Sequence, residues 1–166
     1  MPFVIPEDLH PDLMPVSWLL GTWHGAGRGE YPSIEEFGYD QEVIFAHDSR
    51  PFLHYFSRTW ITDDQGERVR NGALETGFLR PTGEDNTQLE LVLAHATGFA
   101  EVWYGQVDGA RITLATDIVA RTSTAKEYTA GQRMYGLVDG DLMYAYDMAA
   151  EGHEMQSHLW GKLKRD

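Results

Sequence analysis

The chain has 166 residues, 42% of them hydrophobic, which suits one folded domain with a substantial core. Its net charge of −13 opposes binding to nucleic acids and to anionic membrane surfaces, and the absence of cysteine excludes disulfides and thiolate sites. Without an apolar run of roughly 18 residues or a secretory signal, the sequence predicts a cytoplasmic protein with no membrane or nucleic-acid partner.

The N-terminal part of the chain is rich in proline. Residues 1–15 contain four prolines and predict an irregular arm, whereas residues 16–166 predict a single domain. The stretch from residue 15 to residue 20 predicts one short helical turn that packs inward.

Glycine alternates with other residues in the first predicted strand. Gly21, Trp23, Gly25, Gly27 and Gly29 share one face at period two. Glycine inside a strand marks a bend, a bulge or the close approach of another group. We therefore expect a tightly curved first strand, although the glycines alone also fit a flexible loop.

The rest of the chain alternates between short strands and turns. Asp108-Gly109 and Asp139-Gly140 are strong signals for tight hairpins. About ten antiparallel strands joined to their neighbours predict an all-β, up-and-down barrel that closes on itself and is wide enough for a small ligand. Strands are predicted, after the first, at residues 42–47, 52–61, 72–79, 89–95, 99–107, 112–118, 127–138, 142–148 and 154–163.

Few residues stand out as chemical candidates from the pattern alone. The seven histidines are scattered and predict no zinc site by spacing. In the last strand, alternation places His158 with Gln156 and Trp160, on the face opposite Leu159. His158 fits a ligand-binding or a hydrogen-bonded structural role, and Lys126, at a strand start, fits an anion-binding or a solvated role.

The glycine motif also resembles the signature of a known family. The pattern Gly-x-Trp-x-Gly-x-Gly-x-Gly, continuing into Tyr-Pro-Ser-Ile at residues 31–34, is similar to that of the nitrobindins, which are haem-binding β-barrels. The resemblance spans nearly the whole chain from residue 16. Matching segments follow in the expected order at residues 19–23, 78–81, 94–98, 124–127 and 157–159.

The resemblance implies a ten-stranded barrel with one haem b per chain. It implies that His158 is the proximal iron ligand, that Ser33 lies beside the haem edge, and that Lys126 pairs with a propionate. Ser33 stands where relatives often have threonine, which keeps the hydroxyl. Actinobacterial members have similar length and acidity, so the resemblance also implies such a source.

The activity that the resemblance implies is isomerisation of peroxynitrite to nitrate at a ferric haem, with nitric oxide as a further ligand. Two alternatives are a nitric oxide or haem sensor or carrier without turnover, and a lipocalin-like carrier of an apolar ligand. A homodimer through an exposed strand face fits all three. The tyrosines at positions 55, 128, 144 and 146 fit either radical or nitration sinks or barrel packing with the hydroxyls at the rim.

Overall fold

A computed structural model describes residues 2–166 as ten antiparallel strands preceded by one short helix. Each strand pairs with its neighbours in sequence, and the first strand pairs with the last, so the sheet closes into a barrel. This confirms the predicted up-and-down barrel. The strands are β1 (Gly21–Tyr31), β2 (Ile34–Ala46), β3 (Leu53–Thr62), β4 (Arg68–Thr82), β5 (Gln88–His95), β6 (Phe99–Asp108), β7 (Arg111–Arg121), β8 (Tyr128–Val138), β9 (Asp141–Ala150) and β10 (Gln156–Arg165).

The N-terminal 3₁₀ helix spans Pro11–Leu19 and begins earlier than the turn predicted for residues 15–20. Proline suits its first position, because the N–H that proline lacks would have no partner within the helix. The ring Nδ1 of His10 accepts a hydrogen bond from the Asp12 N–H at 3.2 Å and so caps the first turn. Across residues 2–166, no helix has the length and apolarity to cross a bilayer.

The helix covers one end of the barrel, where most of the core lies. Its inward side chains and those of the strand ends form one hydrophobic cluster, so the helix packs as part of the barrel. The division into an arm of residues 1–15 and a domain of residues 16–166 stays a prediction, and Met1 lies outside the described residues. Residues of this cluster that are at most 1% exposed are Leu13, Val16, Leu19, Trp23, Val43, Leu53, Leu89, Trp103, Ile112, Leu142 and Leu163.

The glycines of β1 lie where neighbouring chain segments approach closely. A Cβ added at Gly25 would stand 2.8 Å from the Cα of Leu163, which is too close for two carbon atoms. At Gly27 the ring of Tyr39 occupies the space that a side chain would need. The predicted close approach is confirmed, and the flexible-loop alternative is wrong because this strand pairs on both sides.

Candidate functional site

A cavity of about 790 Å³ opens at the end of the barrel opposite the helix. Its size falls within the roughly 300–1,000 Å³ range of small-molecule sites. Ser33, Lys126 and His158, which are far apart in sequence, all line this cavity. Ser33 lies in the turn between β1 and β2, Lys126 in the turn before β8, and His158 near the start of β10.

A β-bulge turns His158 toward the cavity. The pairing of β10 with β9 advances from Ser157–Asp147 to Leu159–Tyr146, so His158 is the extra residue on its strand. His158 and Leu159 both line the cavity as a result. The expected alternation, with these two side chains on opposite faces, is therefore wrong, because a bulge interrupts the period of two.

The hydrogen bond of His158 fixes which ring nitrogen is free. Its Nδ1 lies 3.0 Å from the backbone carbonyl oxygen of Glu30. A carbonyl only accepts, so Nδ1 carries the proton and donates, and the neutral ring has its lone pair on Nε2. Among residues 2–166, no hydrogen-bond partner meets Nε2, which leaves this nitrogen available to a ligand.

Two tyrosines hold the His158 ring in place. The rings of Tyr31 and Tyr146 meet it edge to face, with centroids 5.6 and 5.7 Å away. The Tyr31 hydroxyl accepts a hydrogen bond from the backbone N–H of Ala150 at 2.9 Å, which ties the end of β1 to the end of β9. The imidazole is thus oriented by packing as well as by its hydrogen bond.

The surroundings of His158 favour its neutral form. Burial is the main reason that the pKa of His158 lies below its ordinary value, and the positive charge of Lys126 lowers it further. The hydrogen bond to Glu30 opposes these two effects without outweighing them. A neutral imidazole with an exposed Nε2 is the form that binds metal ions.

The cavity rim carries a cation without an acidic partner. Lys126 is exposed at the cavity opening, and within the described part of the chain no ion pair engages its ammonium group. Glu127 and Glu151 line the same cavity and add negative charge around the opening. An anionic group at this rim would be attracted by Lys126 and by Arg70, which also lines the cavity, although the protein as a whole is acidic.

Deeper in the barrel, the cavity meets a buried ion pair. Both Glu75 oxygens accept hydrogen bonds from the Arg133 guanidinium, at 2.6 and 2.8 Å. Burial alone raises the pKa of Glu75, but the charge and hydrogen bonds of Arg133 prevail and hold it at about 2. The Arg133 guanidinium also stacks on the rings of Trp103 and Tyr146, 4.9 and 4.7 Å from their centroids.

His95 connects this ion pair to a second buried carboxylate. Its Nδ1 lies 3.3 Å from Glu75 Oε2, and its Nε2 makes a short contact with Glu101. The side chain of Glu101 is fully buried, and its other oxygen accepts a hydrogen bond from the Tyr128 hydroxyl at 2.7 Å. The result is one continuous polar layer across the barrel interior.

Seven of the eight tyrosines line the cavity, including those at positions 55, 128, 144 and 146. Their hydroxyls point to internal polar groups: Tyr55 donates to Glu75 at 2.6 Å, and Tyr144 meets the hydroxyl of Tyr39. The alternative of packing with rim hydroxyls is wrong for Tyr55, Tyr128 and Tyr144. Buried hydroxyls require partners, and the barrel supplies them inside.

Sequence reasoning did not identify the polar layer, although a signal was present. Glu101 precedes Trp103 by two positions, and Arg133 precedes Tyr135 by two positions. Residues two apart share a face of a strand, and Trp103 and Tyr135 are buried. A charged residue in the register of buried aromatic residues indicates an internal polar site.

A closed barrel with a large cavity and one free imidazole nitrogen defines a ligand-binding β-barrel. The chain belongs to the family described as the THAP4-like, heme-binding beta-barrel domain, whose model matches residues 12–165.

Individual relatives extend over the full chain. It is 59% identical over 165 residues to a Nocardioides protein named peroxynitrite isomerase, with 99% of both chains covered. It is 43% identical over 166 residues to a Cutibacterium acnes protein named ferric nitrobindin-like protein, again with 99% coverage of both. The crystal structure of Rv2717c from M. tuberculosis superposes with a TM-score of 0.84 at 39% identity, covering 95% of this chain and 99% of the other. These matches confirm the resemblance to the nitrobindin family.

Proposed function

We propose that this protein binds one haem b in its cavity, with His158 Nε2 as the protein ligand of the iron, and isomerises peroxynitrite to nitrate. The observation that carries the proposal is the free, unprotonated Nε2 that the Glu30 carbonyl and the bulge present to the cavity. The family description and the name of the 59% identical relative support the same function.

The donor atoms in the cavity fit an iron held by a porphyrin better than a free metal ion. Among residues 2–166, no cluster of three histidine or acidic side chains is arranged to hold a metal. A single imidazole is a sufficient protein ligand when a porphyrin supplies the other donors. The carbonyl partner on Nδ1 is the outer contact that metal-binding histidines commonly have.

When bound, ferric haem supplies a Lewis-acidic iron with an open coordination position for peroxynitrite, and ferrous haem supplies one for nitric oxide. The protein's own residues would bind the haem and set its orientation in the cavity. His158 provides the ligand atom, while Lys126 attracts a propionate carboxylate at the rim. Ser33 lies on the same rim and offers a hydroxyl to the haem edge.

Titration with hemin, followed by absorption in the Soret region, tests the site. We expect tight one-to-one binding by the wild type and more than about a hundredfold weaker binding by His158→Ala, because losing a ligand costs more than losing an outer contact. His153→Ala is the matched control, since His153 also meets the Tyr31 ring edge to face, at 5.6 Å, without lining the cavity. Full hemin affinity in His158→Ala would refute the ligand assignment.

Stopped-flow measurement of peroxynitrite decay tests the reaction. We expect the ferric protein to speed decay to nitrate relative to free hemin, and His158→Ala to lose this acceleration. Hemin binding without acceleration would favour a nitric oxide or haem carrier. A protein that takes up fatty acid but not hemin would favour a lipocalin-like carrier.

A further inference from the structure

We propose that Tyr128 is the preferred site of one-electron oxidation and nitration in this protein, with Glu101 as its proton acceptor. The proposal goes beyond haem binding and concerns the polar layer inside the barrel. It requires only that a small oxidant of the nitrogen dioxide class enters the cavity.

Tyr128 combines access to the cavity with a buried base. Its ring lines the cavity and packs edge to face against Phe99, with centroids 5.3 Å apart. Its hydroxyl donates to Glu101 Oε2 at 2.7 Å, and Glu101 is fully buried. Removing an electron from a phenol makes its hydroxyl strongly acidic, so a neighbouring carboxylate avoids the cost of a buried positive charge.

The proposed step balances in electrons and protons. Nitrogen dioxide takes one electron from the Tyr128 ring and becomes nitrite, while the hydroxyl proton moves to the Glu101 carboxylate. A second nitrogen dioxide then bonds to the ring carbon adjacent to the one that bears the phenoxyl oxygen. The hydrogen on that carbon moves to the oxygen, which gives 3-nitrotyrosine.

Tyr55 makes a similar hydrogen bond but has a poorer acceptor. Its hydroxyl donates to Glu75 at 2.6 Å, and the same carboxylate already accepts two hydrogen bonds from Arg133. The Arg133 charge helps to keep the pKa of Glu75 at about 2, so this carboxylate is a weak base and binds a proton poorly. Within residues 2–166, Glu101 has no arginine partner and instead contacts His95.

Other oxidisable side chains on the cavity have weaker acceptors. In the described part of the chain, the Tyr144 hydroxyl meets only another phenol, that of Tyr39, which is a far weaker base than a carboxylate. Trp103 lies behind the cavity wall, against Arg133 and Tyr146, and its buried indole N–H has no partner within residues 2–166, so its proton would have no destination. Tyr31 hydrogen-bonds to backbone groups and Tyr135 accepts from Arg133, and within residues 2–166 only Tyr55 and Tyr128 among the cavity tyrosines donate to a carboxylate, which leaves Tyr128 as the favoured position.

Nitration of the haem-free wild type tests the proposal independently of the proposed function. Nitrogen dioxide is generated by radiolysis of nitrite solution, in an amount below one equivalent per protein chain. Nitrotyrosine is then located by peptide mass spectrometry. We expect modification at Tyr128 to exceed that at Tyr55 roughly tenfold, because Arg133 weakens Glu75 as a proton acceptor by about the effect of one charge-assisted hydrogen bond. Tyr104, which is 51% exposed on the outside, reports the dose.

Equal or greater nitration at Tyr55 would overturn the proposal, and this comparison needs no variant. The matched variants Tyr128→Phe and Tyr55→Phe each remove one hydroxyl from a buried glutamate. In freeze-quenched samples we expect the phenoxyl signal in electron paramagnetic resonance to disappear in Tyr128→Phe and to persist in Tyr55→Phe. The reverse pattern would assign the radical to Tyr55 and contradict the proposal.

Discussion

At the helix-covered end of the barrel, the strands present leucine, isoleucine and tryptophan side chains that are at most 1% exposed, whereas at the open end they present tyrosine, His158 and charged groups. The backbone pairing is continuous between the two ends. The difference lies only in which side chains occupy the inward positions. One end therefore stabilises the barrel, and the other is left free to bind a ligand.

The ion pair of Glu75 and Arg133 lies between these two regions. Replacing Glu75 by Gln leaves the buried Arg133 charge without its partner, and we expect a loss of about 3–5 kcal/mol in the free energy of unfolding. Urea denaturation followed by circular dichroism measures this loss. A change below about 1 kcal/mol, the size of an exposed pair, would show that the layer does not contribute to stability.

A large-to-small substitution in the core at the helix-covered end tests whether stability and ligand binding are separate. Leu142 is fully buried there, so Leu142→Ala is expected to cost about 2–5 kcal/mol in the free energy of unfolding. Hemin affinity at a temperature where the variant is folded should stay within about twofold, less than 0.5 kcal/mol. A parallel fall in affinity would mean that the two ends are coupled.

The dependence of wild-type stability on acidic pH tests the polar layer. The pKa of Glu75 is about 2 in the folded state against 4.5 for the free side chain, so the folded state binds this proton less readily. Its stabilisation is complete above pH 4.5 and is lost as the pH falls toward 2, amounting to roughly 3 kcal/mol. Measuring unfolding across this interval should show a steeper decline for the wild type than for Glu75→Gln. If stability fell equally steeply with pH in both proteins, Glu75 would not be the group responsible for the loss.

Crowding along β1 gives the smallest of these effects. In Gly25→Ala the new methyl group meets the backbone of β10, and we expect a cost of about 1–3 kcal/mol. Gly136→Ala is the matched control, because its added Cβ would find only one atom, at 3.8 Å. Equal thermal midpoints for the two variants would show that β1 and β10 separate easily.

Much of the barrel could be predicted from local patterns. The hairpin predicted at Asp139-Gly140 has both residues at positive φ, 52° and 84°, which favours Gly and Asp in such turns. The strand limits were less accurate: β2 begins at Ile34, whereas the sequence predicted residues 42–47. The first residues of β2 are exposed and do not alternate between apolar and polar, and only their pairing with β1 makes them part of a strand.

The candidate site was predictable in part. The family resemblance singled out Ser33, Lys126 and His158, and the structure brings all three to one cavity, while their roles stay predictions. The partners of buried side chains were not predictable in this way. Glu75, His95 and Arg133 come from three different strands, and the register between strands decides that they meet.

The sequence by itself determined the class of fold, because turn residues and a period of two are local properties of the chain. The tertiary structure decided where His158 points. Alternation placed His158 and Leu159 on opposite faces, but the bulge against β9 brings both to the cavity. The Glu30 carbonyl, 128 residues away in sequence, then selects the ring nitrogen that stays free. A bulge and a long-range hydrogen bond depend on strands that meet only in the folded barrel.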